Sequence, residues 1–211
     1  MKNLLLLHCA VLCCCFVALG TGCATFPRTA SKSYASFQPT AAEREVAVAL
    51  AEGAIAERKL RTASPLYVTN VDLVRDKADD AESEERLAMV THYRYEGDLA
   101  IQTLVNLTEK KVVSLESIPH LPTPLVAQEF SLARELALSR ADVKQALEEY
   151  RDRLNVEALV VRTASEDDPL FGHRVVRLLF RVGQDYLSTP IVMVDLTEKK
   201  VIIQQPPSRT N

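Results

Sequence analysis

The 211-residue chain has 47% hydrophobic and 25% charged residues, an ordinary balance for a globular protein that buries a core without metals or disulfides. A formal net charge of −3 and a pI near 5.9 argue against a nucleic-acid partner, and no basic patch marks a membrane-binding surface. With no tryptophan and 6% aromatic residues, an aromatic-lined carbohydrate cleft is also disfavoured.

Lys2 gives the N-terminus a positive charge, Leu4 to Leu19 is an almost unbroken apolar run, and Gly20-Thr21-Gly22 adds small residues before Cys23. That order is a secretory signal, and the run is short for a spanning helix. All five cysteines (Cys9, Cys13, Cys14, Cys15 and Cys23) fall within the first 23 positions, so no disulfide framework holds the part that follows. Cys13 to Cys15 read as small apolar residues of the signal rather than as a metal site.

Leu19-Gly20-Thr21-Gly22-Cys23 resembles the lipobox of bacterial lipoproteins, with Gly20 where that family prefers Leu. The resemblance implies cleavage after Gly22 and acyl chains on Cys23, a membrane anchor whose strength grows with each buried methylene. Ala24 follows, and by the same resemblance the absence of Asp there favours an outer-membrane lipoprotein facing the periplasm. Two other readings stay open: ordinary cleavage after Ala24, leaving a periplasmic protein, and an uncleaved inner-membrane anchor. Residues 23–40, rich in Ser, Thr, Ala and Pro without periodicity, read as a flexible tether.

An internal repeat organises the remainder. Asn106-Leu-Thr-Glu-Lys-Lys-Val-Val-Ser114 recurs as Asp195-Leu-Thr-Glu-Lys-Lys-Val-Ile-Ile203, six of nine positions being identical at an offset of 89. Ahead of the first copy, Thr40-Ala-Ala-Glu43 is a capping box, and Val46, Leu50 and Ala54 continue at helical spacing to about Arg61. Strands are expected at Leu66 to Val74, Arg86 to Tyr95, Leu99 to Leu107 and Lys111 to Glu116.

The second copy offers a helical stripe at Phe130, Ala133 and Leu136, a fresh cap at Ser139 to Asp142, and a continuation through Val143, Leu147, Tyr150 and Leu154. Its strands are expected at Val156 to Thr163, Arg174 to Val182, Tyr186 to Leu196 and Lys200 to Gln204. The acidic loops 76–85 and 165–168 read as solvated connections without EF-hand spacing. The domain plan is thus a signal at 1–22, a tether at 23–40, α+β repeats at 41–119 and 126–205, a linker at 120–125 and a tail at 206–211. The fold class is α+β, each unit a helix packed on a four-stranded antiparallel sheet.

Leu104-Val-Asn-Leu-Thr108 with Lys111-Val-Val113, and Val194-Asp-Leu-Thr197 with Lys200-Val-Ile202, resemble the small cystatin-like N2 and N3 domains of copper amine oxidases. Leu121-Pro-Thr-Pro-Leu125 followed by Glu129 resembles the linker into the second of those domains. The likeness spans about residues 41 to 204. Where the family's turn carries Gly, Lys110 and Lys199 must take the left-handed position, at about 1 kcal/mol. The sequence has no Asn-Tyr-Asp/Glu motif for a tyrosine-derived quinone and no His-x-His pair for copper. The resemblance therefore implies a fold and no oxidase activity.

Positive signs of catalysis are lacking: no Gly-x-Ser-x-Gly elbow, no glycine-rich phosphate loop and no cysteine after Cys23. His92, His120 and His173 show no metal-ligand spacing. No catalytic residue, metal or cofactor is therefore assigned. Arg174, Arg177 and Arg181 enter one strand, with Arg177 and Arg181 on its polar face, where they could grip an anionic partner or pair across strands. The sequence points to a non-enzymatic envelope lipoprotein with a protein partner. The alternative is a small-molecule carrier or an enzyme using the groove between the repeats.

Overall fold

The computed structural model describes residues 38–74 and 85–204. The readings of the signal, of Cys23, of most of the tether, of nearly all the 76–85 loop and of the tail lie outside these residues.

The first repeat opens with α1 (Ala41–Glu57), capped as the sequence requires. The Glu43 amide donates to Thr40 Oγ1 at 3.2 Å, while the Thr40 amide donates to Glu43 Oε2 at 2.8 Å. Strands β1 (Leu66–Val74), β2 (Leu87–Arg94), β3 (Leu99–Asn106) and β4 (Lys111–Pro119) form an antiparallel meander in the order β1-β2-β3-β4. Strand alternation sends Ala88, Val90, Ile101 and Val105 toward α1, where Ala47, Ala51 and Ile55 meet them. The small helix residues bring the helix close to the sheet.

The second repeat repeats the plan with a broken helix. α2 (Ala127–Ser139) stops at Arg140, α3 (Ala141–Leu147) restarts, and a 3-10 turn (Glu148–Arg153) leads into β5 (Leu154–Val161). The sheet continues through β6 (Val175–Val182), β7 (Asp185–Tyr186), β8 (Ile191–Asp195) and β9 (Lys200–Gln204), with β7 pairing β6 beside the path β5-β6-β8-β9. Val176, Leu178, Phe180, Val192 and Val194 pack on Ala133, Ala137, Val143 and Leu147. The fold is α+β as expected, with one difference. The third strand of this repeat, expected from Tyr186 to Leu196, is split into β7 and β8 by Ser188-Thr189-Pro190. Pro190 has no N–H to give to the ladder.

Both Thr-Glu-Lys-Lys turns place their first lysine in the left-handed region, Lys110 at φ 53° and Lys199 at φ 52°. Asn106 and Asp195 begin the two turns and brace them, accepting at Oδ1 from the Glu109 and Thr197 amides, each at 2.9 Å.

Candidate functional site

Two nearly buried carboxylates join the repeats. The first is Glu129, three residues into α2. Val126 has no side-chain acceptor, so only half of a capping box forms there, the Val126 amide donating to Glu129 Oε2 at 3.0 Å. Arg174, just ahead of β6, grips the same carboxylate in a bidentate pair, Nε to Oε1 at 2.9 Å and Nη2 to Oε2 at 3.0 Å. Its remaining donors reach the linker carbonyls of Thr123 at 3.0 Å and Pro124 at 2.8 Å. From the first repeat, the Tyr95 hydroxyl donates to Glu129 Oε1 at 3.0 Å, and the Tyr93 ring lies 4.4 Å from the Arg174 guanidinium. Burial and the neighbouring Glu129 carboxylate push the Tyr95 phenol well above its ordinary pKa, so it stays a donor.

The second carboxylate is Asp98. Gly97 at φ 76° and Asp98 at φ 45° form the tight turn between β2 and β3, which tucks the Asp98 side chain inward to 3% exposure. It accepts from the Tyr93 hydroxyl at 2.7 Å, from His120 Nδ1 at 2.9 Å and from both terminal nitrogens of Arg162, which follows β5 in the second repeat. Burial raises the Asp98 pKa, but the hydrogen bonds from Arg162, Tyr93 and His120 outweigh it and hold the group below its ordinary value. His120 is held at φ 58° with its amide on the Asp98 carbonyl at 2.8 Å.

Beside this hub lies a pocket of about 290 Å³ whose polar lining includes Asp98, His120, Arg162 and His173. His173 repeats the arrangement of His120, its Nδ1 lying 2.6 Å from Asp195 Oδ2, and Asp195 is 2% exposed. Each imidazole thus gives one nitrogen to a nearly buried carboxylate, a pairing that orients the ring and fixes its tautomer. Phe171 packs against His120 in a tilted arrangement, ring centroids 4.8 Å apart and planes at 43°. Chemically, the pocket can accept and donate hydrogen bonds to a small polar ligand. Among the described residues, no group of three His, Cys, Asp or Glu is placed to hold a metal ion.

The three arginines singled out by the sequence go to three environments. Arg174 is 1% exposed and belongs to the junction, where no partner reaches it. Its even position puts it on the same strand face as Val176, Leu178 and Phe180. Arg181 donates through Nε to Glu157 Oε1 at 2.9 Å and through Nη1 to the Gly183 carbonyl. Arg177 is exposed, and its side chain makes no ion pair or hydrogen bond with another described residue. It stands in register between Leu159 on β5 and Met193 on β8, and Met193 pairs with Ile202 on β9. On this face Arg177 therefore lies between the exposed Leu159 and the buried Met193, and the Arg181–Glu157 pair lies farther along the same face. Leu159 is 53% exposed.

Sequence reasoning left Asp98, Glu129 and Arg162 unassigned and treated the histidines as unrelated. The structure brings His120 and His173 to one pocket, while His92 lies in the core of the first repeat. One signal was present: each repeat has a Glu three residues into its helix and an Arg ahead of its second strand.

The chain matches no protein-family profile and no curated protein. Among solved structures it is similar to a copper-containing benzylamine oxidase from Hansenula polymorpha, with a TM-score of 0.50 and 13% identity over 79% of this chain. The chain spans only 29% of that oxidase. At this identity the likeness shows a shared α+β fold alone, the fold that the resemblance to copper amine oxidase domains led one to expect.

Proposed function

We propose that this chain is an exported lipoprotein, anchored through acyl chains on Cys23, whose two repeats form a non-enzymatic module that binds a protein partner in the cell envelope. The signal, the lipobox-like segment and the lack of an Asp after Cys23 support an outer-membrane protein facing the periplasm. The matching of less than a third of the oxidase, together with the missing quinone and copper motifs in the sequence, supports a role without amine oxidation. The observation that carries partner binding is Arg177, a cation without an ion pair among the described residues, exposed beside Leu159, which is itself 53% exposed. Such a surface suits a partner that sets an acidic side chain on Arg177 and an apolar one against Leu159. The junction hydrogen bonds supply a stiff frame for that face.

Chemical crosslinking in the native envelope tests this. The wild-type chain should yield a reproducible crosslinked protein that Arg177→Glu loses, while the melting temperature hardly moves, since exposed substitutions change stability by less than about 0.5 kcal/mol. An unchanged crosslinking pattern would contradict the assignment of the face.

A second reading, a small-molecule carrier, is favoured by the two carboxylate-oriented histidines in one junction pocket. It expects a metabolite to be retained on purification and lost in His173→Ala. A retained metabolite with no protein partner would replace the first reading.

A further inference from the structure

The two repeats carry the same Arg–Glu clasp, and among the described residues only the second copy is covered. Glu43 sits three residues into α1 as Glu129 sits three residues into α2, and Arg86 precedes β2 as Arg174 precedes β6. The Arg86 and Arg174 amides donate to Thr108 Oγ1 at 3.2 Å and Thr197 Oγ1 at 2.9 Å. Their carbonyls accept from the Leu107 and Leu196 amides, both at 2.8 Å. Both guanidiniums hold their glutamate through Nε and Nη2. The Arg86 hydrogen bond keeps the Glu43 pKa at about 2, so that pair is fully charged at neutral pH.

The surroundings differ. The side chains of Arg174 and Glu129 are both 0% exposed, whereas those of Arg86 and Glu43 are 30% and 24% exposed. Tyr93, Tyr95 and the linker cover the second clasp. Beside the first lies an open recess of about 240 Å³ lined by Ala42, Val46, Leu107 and Lys110 together with the pair itself. One contact is missing from it. Glu129 Oε1 accepts from both Arg174 and the Tyr95 hydroxyl, while among the described residues Glu43 Oε1 accepts from Arg86 alone.

We propose that this recess is a docking site for another polypeptide that presents tyrosine side chains to Glu43 and Arg86, as Tyr95 and Tyr93 are presented to Glu129 and Arg174. A phenol hydroxyl completes the carboxylate, a ring lies against the guanidinium, and Val46 and Leu107 bury the apolar edge. The chain's own second repeat does not supply these groups. Aligning the first residues of β2 and β6 places Arg181 and Gly183 where the first repeat has Tyr93 and Tyr95. In a second copy Tyr93 and Tyr95 are already committed to Asp98 and Glu129, so its described residues offer no matching pair, and the occupant we assign is a different chain.

The test uses a fluorescently labelled peptide copying Tyr93–Asp98 (Tyr-Arg-Tyr-Glu-Gly-Asp), titrated with the whole protein and followed by anisotropy. Saturable binding is expected, weakened about tenfold or more when both peptide tyrosines are Ala and when the protein carries Arg86→Ala. Because Arg86→Ala removes a contact to the start of α1, Val46→Glu is the second variant. It leaves the clasp in place and fills the recess with charge, and it should weaken binding equally, with a cooperative melt confirming that each variant is folded. Arg177→Ala should have no effect. Absence of binding, or binding indifferent to both recess variants, overturns the proposal. Sedimentation showing concentration-dependent self-association that either variant abolishes also overturns it, by assigning the recess to a second copy.

Discussion

Replacing Arg174 by Ala is the most demanding perturbation of the junction. The side chain makes two hydrogen bonds to Glu129, one to each of the Thr123 and Pro124 carbonyls and one to the Thr123 hydroxyl, and stacks on Tyr93. Its loss leaves Glu129, itself 1% exposed, as a buried carboxylate supported, among the described residues, only by the Val126 amide and the Tyr95 hydroxyl. Removing one partner of a buried ion pair costs about 3–5 kcal/mol. For a domain of this size each kcal/mol lowers Tm by roughly 2–4 °C, so Arg174→Ala should melt about 6–20 °C below wild type in a circular-dichroism scan.

The control is built into the repeat. Arg86→Ala breaks the corresponding pair where water solvates the residual charge, and should cost no more than about 1 kcal/mol. The double variant Arg174→Met/Glu129→Leu removes both charges and should recover much of the loss. Equal destabilisation by Arg174→Ala and Arg86→Ala, or a cost below about 1 kcal/mol for Arg174→Ala, would refute the reasoning that burial separates the two clasps.

Other outcomes follow from single residues. His92 is fully buried under α1, and neither ring nitrogen has a hydrogen-bond partner among the described residues. Burial lowers its pKa below the ordinary 6.5, Glu52 acting against that shift and Arg61 with it. The folded state therefore binds fewer protons than the unfolded one below about pH 6.5, and the stability present above that pH is lost as pH falls toward the depressed folded value. Urea titrations from pH 7 to 5 should show wild type losing stability relative to His92→Leu; parallel curves would contradict this. Lys199→Gly removes the cost of a left-handed non-glycine turn at φ 52° and should raise the urea midpoint by the equivalent of about 0.5–1 kcal/mol, whereas a lower midpoint would show that the lysine side chain stabilises the turn.

What could be read from the sequence was what local rules encode. Thr40-Ala-Ala-Glu43 announces a capped helix, alternation around Leu178 announces a strand, and the repeated Thr-Glu-Lys-Lys turn locates Lys110 and Lys199 at positive φ. The break at Pro190 was local too, but the flanking apolar residues masked it. The junction was less legible because its partners lie far apart along the chain. Asp98 and Arg162 are 64 residues apart, and Arg174 and Glu129 are 45 apart, so no periodicity links them. Arg174 is the instructive case. Three arginines in one strand suggest a cationic face, yet position 174 has the parity of Val176 and Phe180 and points inward. The clasp is nonetheless written in the repeat, where Glu43 with Arg86 and Glu129 with Arg174 occupy corresponding positions.

The claim that this is an anchored envelope module is tested most directly by intact-mass and N-terminal peptide mass spectrometry of the protein extracted from its native membrane. The account predicts a chain that begins at Cys23 and carries acyl chains, and a Cys23→Ala variant that is neither cleaved at that site nor acylated. An unmodified chain beginning at Thr25, or one retaining the leader from Met1, would contradict it.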